Sequence, residues 1–572
     1  MKAPSGGGGG RGQSALTFLA RRPRAVLALL CVALWLPGIL SLPPLDRDES
    51  RFAESSKQML ESGNFIDIRF GHVPRYKKPV GIYWLQAATT EIAGLGQRDH
   101  IWTYRLASLL GGIAAVWLAF WTARAFAAPE TALLASALLG ASLLLTAEAT
   151  IATTDAVLLA AILGAQGALL RVYLAARDSR RTPPTRMIVL LGWAALGLGV
   201  LVKGPVALAV AALTVIGLSL WDRDVKWLRG TQVFLGLPLA AVIVLPWAVA
   251  IYFASHGQFY AQALGTDFAA KIAGGQESHG APPGYYLALV SLTLWPATLF
   301  LIPGIAHTIK HREEPWVRFL AVWAGLSWLM FELVPTKLPH YVLPAYPALV
   351  LLGAVWAMSP ASLLDRRIRV LGGLAAAQFA LGVIALAVVP SFIAARYGEG
   401  ISALAVVCST VGAALGLAAM VQLLRGSRPL AGLIAIGAAL VLYITLTVGI
   451  APHLDRIWVS ERIARLVAHD RRPMDPPPAL AGFEEPSLVF YLGSDTRLTD
   501  GTGAAEVTAD QGGLAIVEDS EKARFVSRLS DLGAEPFALD TLTGVNYSKG
   551  KPVHITIYRV NPAHLDTAPP AE

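Results

Sequence analysis

About thirteen stretches of roughly 20 mostly apolar residues recur along this chain, each long enough to cross a bilayer as a helix. They begin near residues 24, 104, 131, 156, 187, 205, 231, 284, 318, 341, 370, 401 and 430. A soluble fold carrying that many apolar helices would expose large sticky patches, so lipid must solvate most of the chain. The composition agrees, at 55% hydrophobic, 15% charged and a mean hydropathy of +0.54. The expected fold is therefore an α-helical polytopic membrane protein. A net charge of +8 could mark a nucleic-acid binder, but Lys and Arg collect in short loops for topological reasons, and no nucleic-acid partner is expected. Cys31 and Cys408 both sit inside apolar runs and read as packing residues, not as a disulfide or metal pair.

The loops assign the two sides. Residues 1–23, Gly-rich and ending in RRPR, read as a disordered cytoplasmic N-terminus with no small-residue cleavage site after it. Alternation then puts RDSRRTPPTR (177–186), WDRDVKWLRG (221–230), HTIKHREEPWVR (307–318), DRRIR (365–369) and RGSR (425–428) on the same side. All are basic, as the positive-inside rule asks. The membrane domain is expected over 24–451, with 43–103 as a first periplasmic loop and 452–572 as a periplasmic domain. In that domain SLVFYL, GLAIVE and PVHITIYRV read as strands and EKARFVSRLSDLG as a helix. DRRPMDPPP reads as a link, and the whole as a small α/β unit.

The loop 43–103 carries Arg47, Arg51, Lys57, Arg69, Arg75, Lys77 and Lys78 on the side where topology asks for no cations. Ionisable residues at the same edge recur elsewhere: Asp48 and Glu49, Glu148, Asp155, Lys203, Lys271, His279, Lys337 and His340, with Tyr341 beside them. Such groups are costly at a membrane edge and mark a functional site by default. Each has a plainer reading. DRDESRFAES also suits the start of an interfacial helix, with Asp48 as N-cap, and TTD suits the N-cap of the span that follows it. Lys77 and Lys78 also suit lipid anchors. Placement of all of them at one rim favours a site that joins carboxylates with cations, suited to an anionic lipid headgroup and acid–base work.

DRDESRFAE, YKKPVGIYW, TTDAVLL, LVKGP, SHGAPPGYY and KLPHYVLPAYP, in this order across about residues 25–450, resemble the GT-C glycosyltransferases that use polyprenyl-phosphate sugars. The resemblance is to the lipid A aminoarabinose transferases (ArnT-like) and, more distantly, to the protein O-mannosyltransferases. It implies a GT-C fold with Asp48 and Asp155 as the functional acids. It also implies Arg51, Lys78, Lys203 and Tyr341 around the donor phosphate, while placement at the same rim makes Glu49, Lys77, His279, Lys337 and His340 further possible site residues. The aminoarabinose transferases usually have Glu-Lys-Pro where this chain has Lys77-Lys78-Pro79, and His where Phe268 falls. That leaves His279 alone of three zinc ligands, so no metal and no cofactor are expected.

The resulting expectation is an inverting transferase moving a sugar from a polyprenyl-phosphate carrier to a lipid or glycan acceptor, such as lipid A or the lipopolysaccharide core. It would work at the periplasmic face of a bacterial inner membrane. The extra lysine favours an acidic or neutral sugar over a cationic one. The alternatives are a polyprenyl-phosphate flippase, which needs charges along a pathway open to both sides, and a scaffold that would not need Asp48, Asp155 and Lys203 on one face.

Overall fold

The computed structural model describes residues 9–263, 265, 280–359 and 366–562. Its first half runs through α1 (Gly9–Leu19), α2 (Pro23–Ser41), α3 (Asp48–Ser62), α4 (Gly81–Ala93), α5 (Ile101–Ala123) and α6 (Pro129–Gly140). It continues through α7 (Leu143–Thr150), α8 (Asp155–Arg177), α9 (Arg186–Lys203), α10 (Val206–Asp222) and α11 (Val233–Ala254). Long helices follow at Pro315–Leu333, Tyr346–Met358, Arg366–Tyr397, Ala403–Leu424 and Arg428–Ile444. A helix begins within about four residues of every apolar stretch in the sequence. Among the described residues ten helices are long and apolar enough to cross a membrane, or up to twelve counting two bent pairs. The bends are 61° between α6 and α7 and 108° between Tyr285–Thr293 and Ala297–Lys310.

The perimeter of the bundle is apolar, with Phe234 92% and Phe392 71% exposed, which only a lipid solvent makes favourable. Inside, α8 packs between α5 and α9 with Leu159, Ile162 and Leu163 buried. At one end of the bundle the basic loops are tied together. Arg177 pairs with Asp222 at 2.9 Å and with Asp224 at 2.9 Å, and Arg318 reaches Asp222 at 2.7 Å.

Three local expectations are corrected. Residues 9–19, expected to be disordered, form α1, which packs on the helix Arg428–Ile444 with Leu16 buried; the apolar residues of SALTFL give it a face to bury. SLVFYL, expected to be a strand, lies in the helix Pro486–Leu492. A short apolar run has no period of its own, and the proline at the first helical position tips this one. Asp48, read as an N-cap, is instead the first residue of α3, with Arg47 at the cap position; Thr154 of TTD does hold the cap position of α8, and neither makes a capping bond.

A two-residue ladder, β1 (Arg69–Phe70) with β2 (Val73–Pro74), decorates the loop between α3 and α4. After the helix Val459–Asp470, the C-terminal unit is a mixed five-stranded sheet. Its strands are β3 (Ala479–Ala481), β4 (Arg497–Thr499), β5 (Gly513–Glu518), β6 (Pro536–Asn546) and β7 (Lys551–Val560), in the order β4-β3-β5-β7-β6. β3 runs parallel to β4 and β5, whereas β7 is antiparallel to β5 and β6. Val459, Ile463 and Val467 cover one face against Leu480, Ile516 and Ile557, and Phe525 and Leu529 cover the other.

Candidate active site

At the end of the bundle away from the basic loops lies a cavity of about 300 Å³, lined from α3, the turn 75–78, the α7–α8 link, the end of α9 and the segment 336–341. α3 begins with two acids, which suit the positive end of a helix. They point to different fates. Glu49 is buried and locked to Arg105, whose Nε and Nη2 lie 2.7 and 2.9 Å from its two oxygens. Its carboxylate also accepts from the amides of Leu45 and Ala152, both at 2.8 Å. Arg105 spends its remaining donors on the carbonyls of Ile39, Leu42 and Pro43. Glu49 is thus consumed in fixing the α2–α3 link to the α7–α8 link.

Asp48 instead faces the cavity, with its side chain 61% exposed and the Arg75 guanidinium 4.0 Å away. Burial by the cavity walls raises its pKa, but Arg75, His340, Arg51 and Lys78 outweigh that and hold the carboxyl below the usual range. A charged carboxylate therefore sits within a ring of cations.

The cations arrive by specific local geometry. The turn after β2 directs Arg75, Lys77 and Lys78 to the cavity and sends Tyr76 into the core, 3% exposed, with its hydroxyl on Asp67 at 2.7 Å. Gly81 then lets the chain press on α9; a Cβ there would stand 2.8 Å from the Leu201 backbone. Gly204, at φ 67°, ends α9 directly after Lys203. Lys203 binds both oxygens of Asp155, at 2.6 and 2.7 Å, and its ammonium lies 5.5 Å from the centre of the Tyr341 ring. Glu148 accepts from the Thr153 hydroxyl at 2.7 Å and faces Nδ1 of His340 at 3.6 Å.

Of the residues singled out from sequence, Asp48, Glu49, Arg51, Lys77, Lys78, Asp155, Lys203, His340 and Tyr341 line this one cavity. Lys337 does not: its buried ammonium donates to the carbonyls of Glu332 and Val334 at the end of the helix Pro315–Leu333, the ordinary work of a C-terminal cation. His279, with Phe268 and Lys271, lies outside the described residues. Arg75 and Glu148, noted among the charges at that edge but given no role in the site, line the cavity too, as does Thr153. The available signal for Arg75 was its place two residues before Lys77 in a turn. Where the resemblance puts a zinc-ligating Glu, the cation Lys77 lines the cavity, which does not fit a metal.

A helical bundle with acids and cations gathered at one rim, capped by a small α/β unit, defines a polytopic membrane protein with a GT-C fold. That fold is ArnT-like. It matches the dolichyl-phosphate-mannose-protein mannosyltransferase family over residues 44–260. It is 30% identical over 340 residues to the undecaprenyl phosphate-α-4-amino-4-deoxy-L-arabinose arabinosyl transferase of Pseudomonas paraeruginosa, spanning 58% of this chain and 59% of that relative. The corresponding protein of Pectobacterium atrosepticum is 28% identical over 370 residues, spanning 60% and 62%. The matched stretch is therefore less than two thirds of these curated relatives. The structure of ArnT from Cupriavidus metallidurans bound to undecaprenyl phosphate superimposes with a TM-score of 0.72 at 19% identity, covering 96% of this chain and 99% of that one. The archaeal oligosaccharyltransferase AglB from Archaeoglobus fulgidus gives 0.53 at 12% identity, covering 88% and 69%.

Proposed function

We propose that the chain is an inverting glycosyltransferase that moves a sugar from a polyprenyl-phosphate carrier to an envelope acceptor, such as lipid A, the lipopolysaccharide core or another glycan. The reaction would occur at the periplasmic face of a bacterial inner membrane. The observation that carries this reading is Asp48, charged and open to the cavity amid Arg51, Arg75, Lys77 and Lys78. Breaking the bond between the anomeric carbon and the phosphate oxygen leaves its electron pair, and negative charge, on the departing lipid phosphate. Cations fixed in advance stabilise that charge where it develops, often the largest catalytic contribution. Arg51 and Arg75 suit two-pronged contacts with phosphate, whereas Lys77 and Lys78 act as point charges.

The acceptor attacks the opposite face of the anomeric carbon, as water does in an inverting glycosidase. When the acceptor is a hydroxyl, Asp48 takes its proton. When it is a phosphate, already ionised, Asp48 orients it and balances the cations. Asp155 holds Lys203 at the cavity wall, where Tyr341 flanks it. With Lys77 added to the cationic ring, the sugar preferred is acidic or neutral. Preference for a cationic aminosugar in a transfer assay would overturn that point.

The test is mass spectrometry of lipid A, core and surface glycans from cells with the intact gene, a deletion, and the deletion carrying Asp48→Asn. A sugar mass lost on deletion, restored by the intact gene and not by Asp48→Asn, is expected, with a loss of about 10²–10⁴-fold in transfer where a base is needed. Unchanged glycans in all three would refute the reading. Bond cleavage by the purified protein in detergent, where there are no two compartments, separates an enzyme from a flippase.

A further inference from the structure

The chain enters α3 through a backbone conformation that L-residues rarely adopt: Arg47 has φ 65° and ψ −112°, and Asp48 is the next residue. Something must hold that conformation, and the partners lie at both sides of the link. On the membrane side is the Glu49–Arg105 lock. On the other side is the C-terminal domain, some 500 residues away in sequence. The Tyr547 hydroxyl, at the turn between β6 and β7, accepts the Asp46 amide at 2.6 Å. The Arg47 guanidinium donates to the Ser548 carbonyl, and the Ser487 hydroxyl donates to the Asp46 carboxylate.

A second contact reaches the other acid-bearing segment. Phe490, in the helix Pro486–Leu492, is fully buried among Ala53 of α3, Tyr104 of α5 and Ala152, three residues before Asp155. Tyr104 meets its ring edge-on at 5.7 Å, and the Lys57 ammonium lies 5.5 Å from its centre. The domain thus abuts both segments that carry cavity acids, through polar contacts at one and a buried ring at the other.

We propose that the C-terminal domain completes the active site by holding Asp46–Arg47 in the conformation that aims Asp48 into the cavity, with Tyr547 as the positioning residue. The proposal rests on the glycosyl-transfer reading and gives the α/β domain a part in it. It needs no contact between that domain and the sugar. The carboxylate is set by its backbone, and a small displacement of a reacting group costs orders of magnitude in rate.

The test compares full-length wild type with Tyr547→Phe, Ser487→Ala and, as a control on the exposed β6 edge, Phe537→Ser. The donor is the undecaprenyl-phosphate sugar whose mass the deletion removes. Tyr547→Phe keeps the ring against Trp458 and removes only the acceptor oxygen. Its kcat is expected to fall about ten- to a hundredfold with donor KM unchanged. Hydrogen exchange of the amides over 46–51 is expected to speed up, with the melting temperature held and Phe537→Ser matching wild type in every reading. Wild-type kcat in both Tyr547→Phe and Ser487→Ala would overturn the proposal, as would faster exchange without loss of kcat. If wild type itself transfers no sugar, the transferase reading fails. The exchange measurement then decides on its own whether Tyr547 holds the link, unchanged exchange overturning the proposal.

Discussion

Asp48 owes its charge to its neighbours, and Arg75 is foremost among the cations that hold its carboxyl low. The sign of the consequence follows from that. A carboxylate that must be ionised loses function as pH falls through its pKa, and a depressed pKa places that loss below the ordinary carboxylate range. Arg75→Met removes the cation and raises the pKa, so the acid limb of the kcat/KM profile is expected to move to higher pH. An unmoved limb would show that Arg75 does not set the ionisation of Asp48. Asp48, Lys78 and Lys203 were legible in the sequence because charge at a membrane edge is conspicuous against apolar flanks. Lys337 looked the same by that criterion, yet it caps a helix, because the direction of a side chain out of a proline-rich turn is not written in its neighbours. Glu49 was equally ambiguous: only the distant Arg105 decides that it is structural.

At the scale of elements, α8 and α9 are joined at the cavity by one buried ion pair, Asp155–Lys203, with side chains 6% and 8% exposed. Removing one partner of such a pair strands the other charge, which typically costs about 3–5 kcal/mol, whereas replacing both by apolar groups is often neutral. Asp155→Leu and Lys203→Met are each expected to lower the thermal stability of the purified protein, and the double variant to recover most of the loss while staying inactive. Additive losses would mean that the two charges do not depend on each other. The pairing was invisible in sequence, where TTD and LVKGP stand 48 residues apart. The helices themselves were readable because a long apolar run has few alternatives in lipid. The short runs of the C-terminal domain carried no such constraint, so PVHITIYRV and GLAIVE formed strands while SLVFYL joined a helix.

For the whole molecule the decisive asymmetry is between its two ends. One gathers the basic loops, whose cations pair with Asp222 and Asp224. The other holds the cavity and the α/β domain, and its cations surround carboxylates instead of standing in short loops. By the positive-inside rule the short basic loops would stay in the cytoplasm, and a long loop such as 43–103 can translocate despite its charge. The cavity, and a donor whose sugar rides on a membrane lipid, would then open to the periplasm. This orientation is testable with single cysteines placed at exposed positions, Thr182→Cys in the basic loops and Ser527→Cys on the α/β domain. Cys31 and Cys408 would both be replaced by alanine. A membrane-impermeant maleimide is expected to label Ser527→Cys in intact spheroplasts and to reach Thr182→Cys only after lysis, with the order reversed in inverted vesicles. Labelling of Thr182→Cys from outside would place the cavity in the cytoplasm, where soluble nucleotide sugars are at hand and the case for a lipid-carried donor would fall.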